Sequence, residues 1–195
     1  MIQLDILAVG DLSRAEDGSV TEAHSTSVLI RAAGHNIVVD PSDRYMEAAV
    51  RTSFSQIGIR PDEVDVVVLT HAHSDHMENM DMYRNARRYI HSGSKTDIPG
   101  TIVIDSPVFK LCEGVRLVHT PGHCNEEMSV FVDADRKYVC AGDAIPLEAN
   151  FRKNLPPAIN VDARLALESI KKIREYADVV IPGHGFPFMT DQGFT

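Results

Sequence analysis

Nowhere in its 195 residues does the chain carry an apolar run approaching the ~20 residues that cross a bilayer, so a membrane-spanning helix is not expected. It also lacks a basic tract. Its 19 lysines and arginines stand against 28 acidic residues, and the formal charge of −9 is spread without an acidic tail. A chain of that sign grips a polyanion poorly, which argues against nucleic acid as a partner. Two small basic spots (Arg84, Arg87 and Arg88; Arg152 and Lys153) read as solvated faces. The opening MIQLDILAVGDLSR has no positive start, and Asp5 and Asp11 interrupt its apolar residues, so it reads as a first strand and not a signal peptide. The three cysteines, Cys112, Cys124 and Cys140, are odd in number and not closely spaced, so reduced thiols in a cytoplasm are expected. With no repeat, low-complexity tract or linker, residues 1–195 are expected to form one domain. Its 44% apolar and 24% charged residues match a soluble globular chain.

The first third reads as β structure: 3–9, 25–32 and 36–40 are β-rich, with Gly34 placed for a hairpin turn. Met46, Ala49, Val50 and Phe54 recur at helical spacing between 43 and 55, and Gly58 ends that helix. Residues 64–70, VDVVVLT, form a β-branched run of the kind buried on both faces. A short helix over 77–87, a strand over 88–92 and a loop over 93–100 follow. Residues 101–120 read as two or three strands and 129–143 as a hairpin turning at ADRK. Residues 145–160, with Pro146, Pro156 and Pro157, read as a loop leading into a helix over 161–176, whose core face carries Leu165, Ile170 and Ile173. A last strand occupies 177–184. The sum is a layered α/β fold with polar clusters at strand ends.

The chemistry sits at those ends. In THAHSDH, His71 and His73 are two apart in an extended segment and share a side, so both imidazoles can meet one ion. Asp75 and His76 follow a turn at Ser74 and project toward a neighbouring position. Three histidines and an aspartate within six positions, directly after a buried strand, are poorly explained as loop polarity. His123 follows Pro121 and Gly122, a tight turn that aims one side chain. Asp143 follows Gly142, and its two oxygens can bridge two cations. His184 lies between Gly183 and Gly185, which let the backbone approach an ion. Asp40, at an early strand end, suits orienting the ligands from behind. Imidazole donors accept zinc, iron, cobalt or nickel, and the carboxylates add manganese.

These five ordered motifs resemble those of the metallo-β-lactamase superfamily, from about Gln3 to Gly185, with none missing. The resemblance implies a four-layer αββα sandwich with a cleft at one edge. It implies one metal held by His71, His73 and His123, a second by Asp75, His76 and His184, and Asp143 bridging them. Two divalent ions are then the cofactors, zinc first, with iron or manganese compatible. Water between two such ions becomes a nucleophile near neutral pH. Asp143 and Asp75 are then the candidate catalytic carboxylates, with Asp75 the nearest candidate for passing a proton to the leaving group and a water the alternative.

True β-lactamases of the superfamily resemble one another in lacking the fourth-motif aspartate, which is present here. Flavoprotein oxygen reductases typically carry glutamate where His73 stands. Glyoxalase II-like enzymes normally add a helical domain after the position of His184, where eleven residues remain. The remaining company that the chain resembles is small lactonases, compact thioesterases and metallo-β-lactamase domain-containing proteins. Hydrolysis of a small ester, thioester or lactone is therefore expected, with a small molecule as partner and a homo-oligomer left open. One alternative is a mononuclear-iron persulfide dioxygenase, whose three ligands would match His71, His123 and Asp143; another is a phosphodiesterase or nuclease of the same fold. Arg152, Lys153 and Asn154 are candidates for holding a substrate anion, set evenly against a solvated loop. Cys124 reads as a small buried residue; His24, His35, His91 and His119 read as ordinary histidines.

Overall fold

The computed structural model describes residues 1–94 and 98–190, so the middle of the expected 93–100 loop, at 95–97, lies outside the described residues. In chain order the strands are β1 Gln3–Ala8, β2 Asp11–Arg14, β3 Val20–His24, β4 Ser27–Ala32, β5 His35–Val39, β6 Val66–Val68, β7 Arg87–His91, β8 Thr101–Ile104, β9 Val108–Cys112, β10 Val115–His119, β11 Met128–Asp133, β12 Lys137–Cys140, β13 Val179–Ile181 and β14 Phe188–Met189. The helices are α1 Glu47–Ile57, α2 Ser74–Met77, α3 Glu148–Lys153 and α4 Ala163–Tyr176.

Two six-stranded sheets face each other. One runs β1-β4-β5-β6-β7-β8 and the other β14-β13-β12-β11-β10-β9, while β2 and β3 form a separate hairpin. All strands of the first sheet come from residues 3–104 and all strands of the second from 108–189. The period of two along each strand explains the layering. Val28, Ile30, Val66 and Val68 point inward and meet Val115, Leu117, Val130 and Ile181 of the other sheet. Their neighbours Leu29 and Val67 point outward onto Val50 and Phe54 of α1. On the far side Val118, Phe131 and Val180 pack against Ile170 and Ile173 of α4. The order is helix, sheet, sheet, helix, the αββα arrangement expected. Because both faces of each sheet are covered, β6 and β13 are apolar throughout. Each fully buried valine, leucine or phenylalanine contributes about 1.5–3 kcal/mol.

Helix ends follow local chemistry. Gly58 takes the left-handed conformation (φ 79°) and its N–H closes on the Phe54 carbonyl, ending α1. The Asp162 side chain accepts from the backbone N–H groups of Arg164 and Leu165 and starts α4.

Four expectations need correction. The helix expected over 77–87 is the single turn α2 followed by a 3-10 turn over Glu78–Met82; Tyr83 leaves helical geometry and is fully buried. The expected 145–160 loop contains α3, anchored by buried Phe151. The opening stretch read as one strand is broken into β1 and β2, and β2 pairs with β3 where no strand was expected, because the polar residues of that hairpin hide the alternation. On α4 the buried face includes Ala166 and Ser169, whereas Leu165 is only partly covered. Among the described residues no helix is long and apolar enough to cross a membrane.

Candidate metal centre

Strand β6 delivers the chain to Thr70 and His71. Asp40, just beyond the neighbouring β5, holds a left-handed backbone (φ 50°), which Asp tolerates better than most residues. Its carboxylate accepts from the Thr70 backbone N–H and hydroxyl, both at 2.8 Å, and from His76 Nδ1 at 2.9 Å. It thus ties the end of β6 to the turn α2. His73 sits extended immediately before α2, and that turn carries Asp75 and His76 round to the same cleft.

The second sheet supplies the facing residues. Gly122 (φ 139°) leaves no room for a side chain, since a Cβ there would stand 2.3 Å from the Ala166 backbone of α4. This close approach aims His123. Asp143 lies in a 3-10 turn, Gly142–Ala144, after β12. His184 follows β13, and a Cβ on Gly183 would lie 2.1 Å from Asp143 Oδ1.

The seven predicted ligands converge. Side-chain donors of His71, His73 and His123 lie within 4.8 Å of one another, as do those of Asp75, His76 and His184; His71, His76 and Asp143 form an overlapping set. His73 Nδ1 is 3.0 Å from both His71 Nε2 and His123 Nε2. Asp143 faces both groups: Oδ1 is 3.2 Å from His184 Nε2 and 3.6 Å from His76 Nε2, while Oδ2 is 3.6 Å from His123 Nε2. Asp75 Oδ2 stands 3.5 Å from His76 Nε2 and 3.6 Å from His184 Nε2.

Whether these residues fit cations can be judged from their hydrogen bonds. His123 Nδ1 donates to the Ile159 carbonyl and His184 Nδ1 to the His24 carbonyl, each at 2.8 Å. In a neutral imidazole that leaves both Nε2 atoms as lone pairs. The His184 lone pair then faces a carboxylate oxygen of Asp143 at 3.2 Å. Acceptor against acceptor is repulsive unless a cation sits between them. His76 Nε2 and Asp143 Oδ1 are also buried without a hydrogen-bond partner. Orphaned polar atoms cost free energy in an apolar interior, so their alignment fits divalent ions.

Burial lowers the basicity of His71, well below the usual histidine value. It works the same way on His76, but Asp40, with Asp143 and Asp75 behind it, overrides it and raises that pKa to about 10. Carboxylates that favour a proton there favour any cation there. Burial raises Asp143, yet His184, His76 and His71 outweigh it and hold the carboxyl well below its usual range.

Sequence reasoning missed Glu127. It is fully buried; Oε2 lies 3.3 Å from His71 Nδ1, and Oε1 accepts from the Asp143 backbone N–H at 3.1 Å. Burial, then the Asp143 charge, pushes its carboxyl well above the ordinary range. It touches both halves of the site from behind. Its signal was an acidic residue leading straight into the buried strand β11. Cys124 is buried, as expected, with Sγ donating to Glu127 Oε2 at 3.6 Å.

The ligands open into a cleft of about 220 Å³. Leu12, Val20 and Ala23 of the β2–β3 hairpin wall one side, and Pro146, Pro157 and Ile159 another. Arg152, Lys153 and Asn154 do not line it. Arg152 pairs with Glu148, donates to the Met189 carbonyl and lies over Phe188. His24 turns its ring to Asp43 at 2.5 Å and stacks on Tyr45. His91 and His119 stack on each other between the sheets, and His35 stands 3.8 Å from Asp65.

The family description for the metallo-β-lactamase superfamily matches residues 20–98. A probable metallo-hydrolase of Methanocaldococcus jannaschii is 39% identical over 183 residues, covering 94% of this chain and 87% of its own length. The metallo-β-lactamase domain-containing protein 1 of Xenopus laevis is 31% identical over 196 residues, 92% and 75% of the two chains. A Bacillus thuringiensis crystal structure with N-decanoyl-L-homoserine bound at its active site shares the fold. Its TM-score is 0.76 at 18% identity, over 93% of this chain and 92% of that one.

Proposed function

The chain belongs to the metallo-β-lactamase superfamily and, within it, to the metallo-hydrolases, and on that premise we propose that it hydrolyses a small ester, thioester or lactone at a two-metal centre. One observation carries the reading: Asp143 turns one oxygen toward His76 and His184 and the other toward His123. His71, His73 and His123 would hold one ion and Asp75, His76 and His184 the other, with Asp143 shared. When bound, the ions supply Lewis acidity, lowering the pKa of water and polarising a carbonyl.

The chain's own residues do the rest. Asp40, the Ile159 carbonyl and the His24 carbonyl each engage one Nδ1, presenting the opposite Nε2 to the cleft. Glu127 braces His71 and the Asp143 backbone. In the reaction the acyl C–O or C–S bond breaks, water oxygen ends on the acyl carbon, and a proton reaches the leaving atom. Asp75, partly exposed at the cleft floor, is placed to carry that proton. At about 220 Å³ the cleft is smaller than the ~300–1,000 Å³ typical of drug-sized ligands, and it admits the reacting part of a small molecule. The N-decanoyl-L-homoserine held by the Bacillus thuringiensis structure is the hydroxy acid that opening of an N-acyl homoserine lactone would leave.

Elemental analysis of protein purified without chelator or histidine tag tests the reading. About two divalent ions per chain, with turnover of thioesters or lactones, support it. One iron per chain with oxygen uptake on a persulfide overturns it.

A further inference from the structure

Set the metal-site side chains aside, and the cleft wall is apolar at every residue but one. Arg14, at the end of β2, is the sole polar side chain among the remaining lining residues. It is exposed, and its Nη1 donates to the Gly18 carbonyl across the hairpin turn at 2.9 Å. That bond holds the guanidinium at the hairpin end and leaves the other N–H groups of its five for a ligand. Most arginines elsewhere on this surface are neutralised: Arg31 by Asp5, Arg51 by Glu47, Arg60 by Asp62, Arg116 by Asp133, Arg164 by Glu168. Among the described residues no carboxylate pairs with Arg14. Outside the metal-site residues Arg14 is thus the one charged group among the described lining residues, and a cation there favours a ligand that carries negative charge.

The geometry points to Arg14 as the residue that fixes substrate class: the molecule hydrolysed carries an anionic oxygen group, a carboxylate or phosphate, separated by an apolar stretch from the bond that is cut. Leu12 and Val20 on the same hairpin, and Ile159, line the same cleft as Arg14 and supply its apolar surface. Guanidinium reads either oxyanion through paired N–H groups, whereas neutral esters of the same length find only the apolar wall. This rests on the hydrolase reading above and adds the sign of charge and the group that senses it.

The test uses metal-loaded protein and paired substrates. The 4-nitrophenyl monoesters of adipic and suberic acid are compared with their methyl-capped neutral diesters, and 4-nitrophenyl esters ending in a phosphate with their dimethyl forms. The readout is the ratio of kcat/KM, charged over neutral, taken within each variant so that loosening of the hairpin cancels. Wild type is expected to favour at least one charged form by about 3- to 10-fold, mostly through KM and less so at high salt. In Arg14→Ala the ratio falls to about one, Arg14→Lys keeps part of it, and Arg14→Glu inverts it. A larger carboxylate or phosphate ratio identifies which oxyanion is read. Hydrolysis with a ratio near one for both pairs, or an unchanged ratio in Arg14→Glu, overturns the inference while the hydrolase reading stands. Turnover of no ester, thioester or lactone overturns the hydrolase reading itself.

Discussion

Replacing Gly183 with alanine adds a single methyl group beside the metal centre, and the structure says where it goes. The new Cβ would lie 2.1 Å from Asp143 Oδ1 and 2.8–2.9 Å from the Gly142 backbone. Ordinary contact begins near 3.4 Å, so the Asp143 carboxylate must move by about 1 Å, a misplacement that can cost about 100-fold in rate. The Gly183 backbone is not in the left-handed region, so the methyl carries no conformational penalty of its own. Gly185 provides the contrast. It is left-handed (φ 117°), but its nearest neighbour to an added Cβ is 3.9 Å away. Gly185→Ala is therefore expected to cost stability through backbone strain of about 1–3 kcal/mol, whereas Gly183→Ala costs turnover and metal retention. The assays are ester hydrolysis at saturating metal, metal content after dialysis, and thermal melting of both variants. Gly183→Ala with full metal content and kcat within about threefold of wild type would refute the reasoning.

Asp143→Ala removes the shared carboxylate and is expected to reduce hydrolysis by more than about 100-fold, beyond what loss of an outer partner costs, while circular dichroism reports an intact fold. Asp40→Asn tolerates the left-handed backbone but turns one acceptor into a donor facing the Thr70 hydroxyl or His76; metal affinity by competition with a chromophoric chelator should fall about 10- to 100-fold. Burial, then the neighbouring His119, lowers the His91 pKa from its usual 6.5. The folded chain then binds that proton less readily than the unfolded one. Stability is fully present above pH 6.5 and is lost as pH falls below it toward the lowered value. Melting curves of His91→Phe, which keeps a ring in the stack without a titrating group, should show a weaker acid-side loss than wild type.

How much of this was legible depended on where the information lay. The His71–His76 cluster announced itself because its ligands are close in sequence and follow VDVVVLT, whose unbroken β-branched run reports a sheet covered on both faces. His123, Asp143 and His184 were legible through their glycines, and at Gly122 and Gly183 the structure gives the reason: neither position has room for a Cβ. Glu127 was not legible, because one acid among Asn125, Glu126 and Glu127 looks like a wet loop until β11 carries it inside. Helix α3 was hidden by Pro146, Pro156 and Pro157, which flank it without entering it. The sequence left Arg152 evenly balanced and did not single out Arg14, because both are exposed basic residues and only the tertiary fold decides which borders the cleft.

The chain passes from one sheet to the other once, between Ile104 and Val108. Asp40, His71, His73, Asp75 and His76 precede that passage; His123, Asp143 and His184 follow it. A cation in this cleft is therefore a clasp across two halves of a gene that share no strand. Severed at residues 105–107, the halves would be joined by the inter-sheet core and, on the proposed two-metal reading, by the cations they share, so that their reassembly would become a reading of free metal concentration.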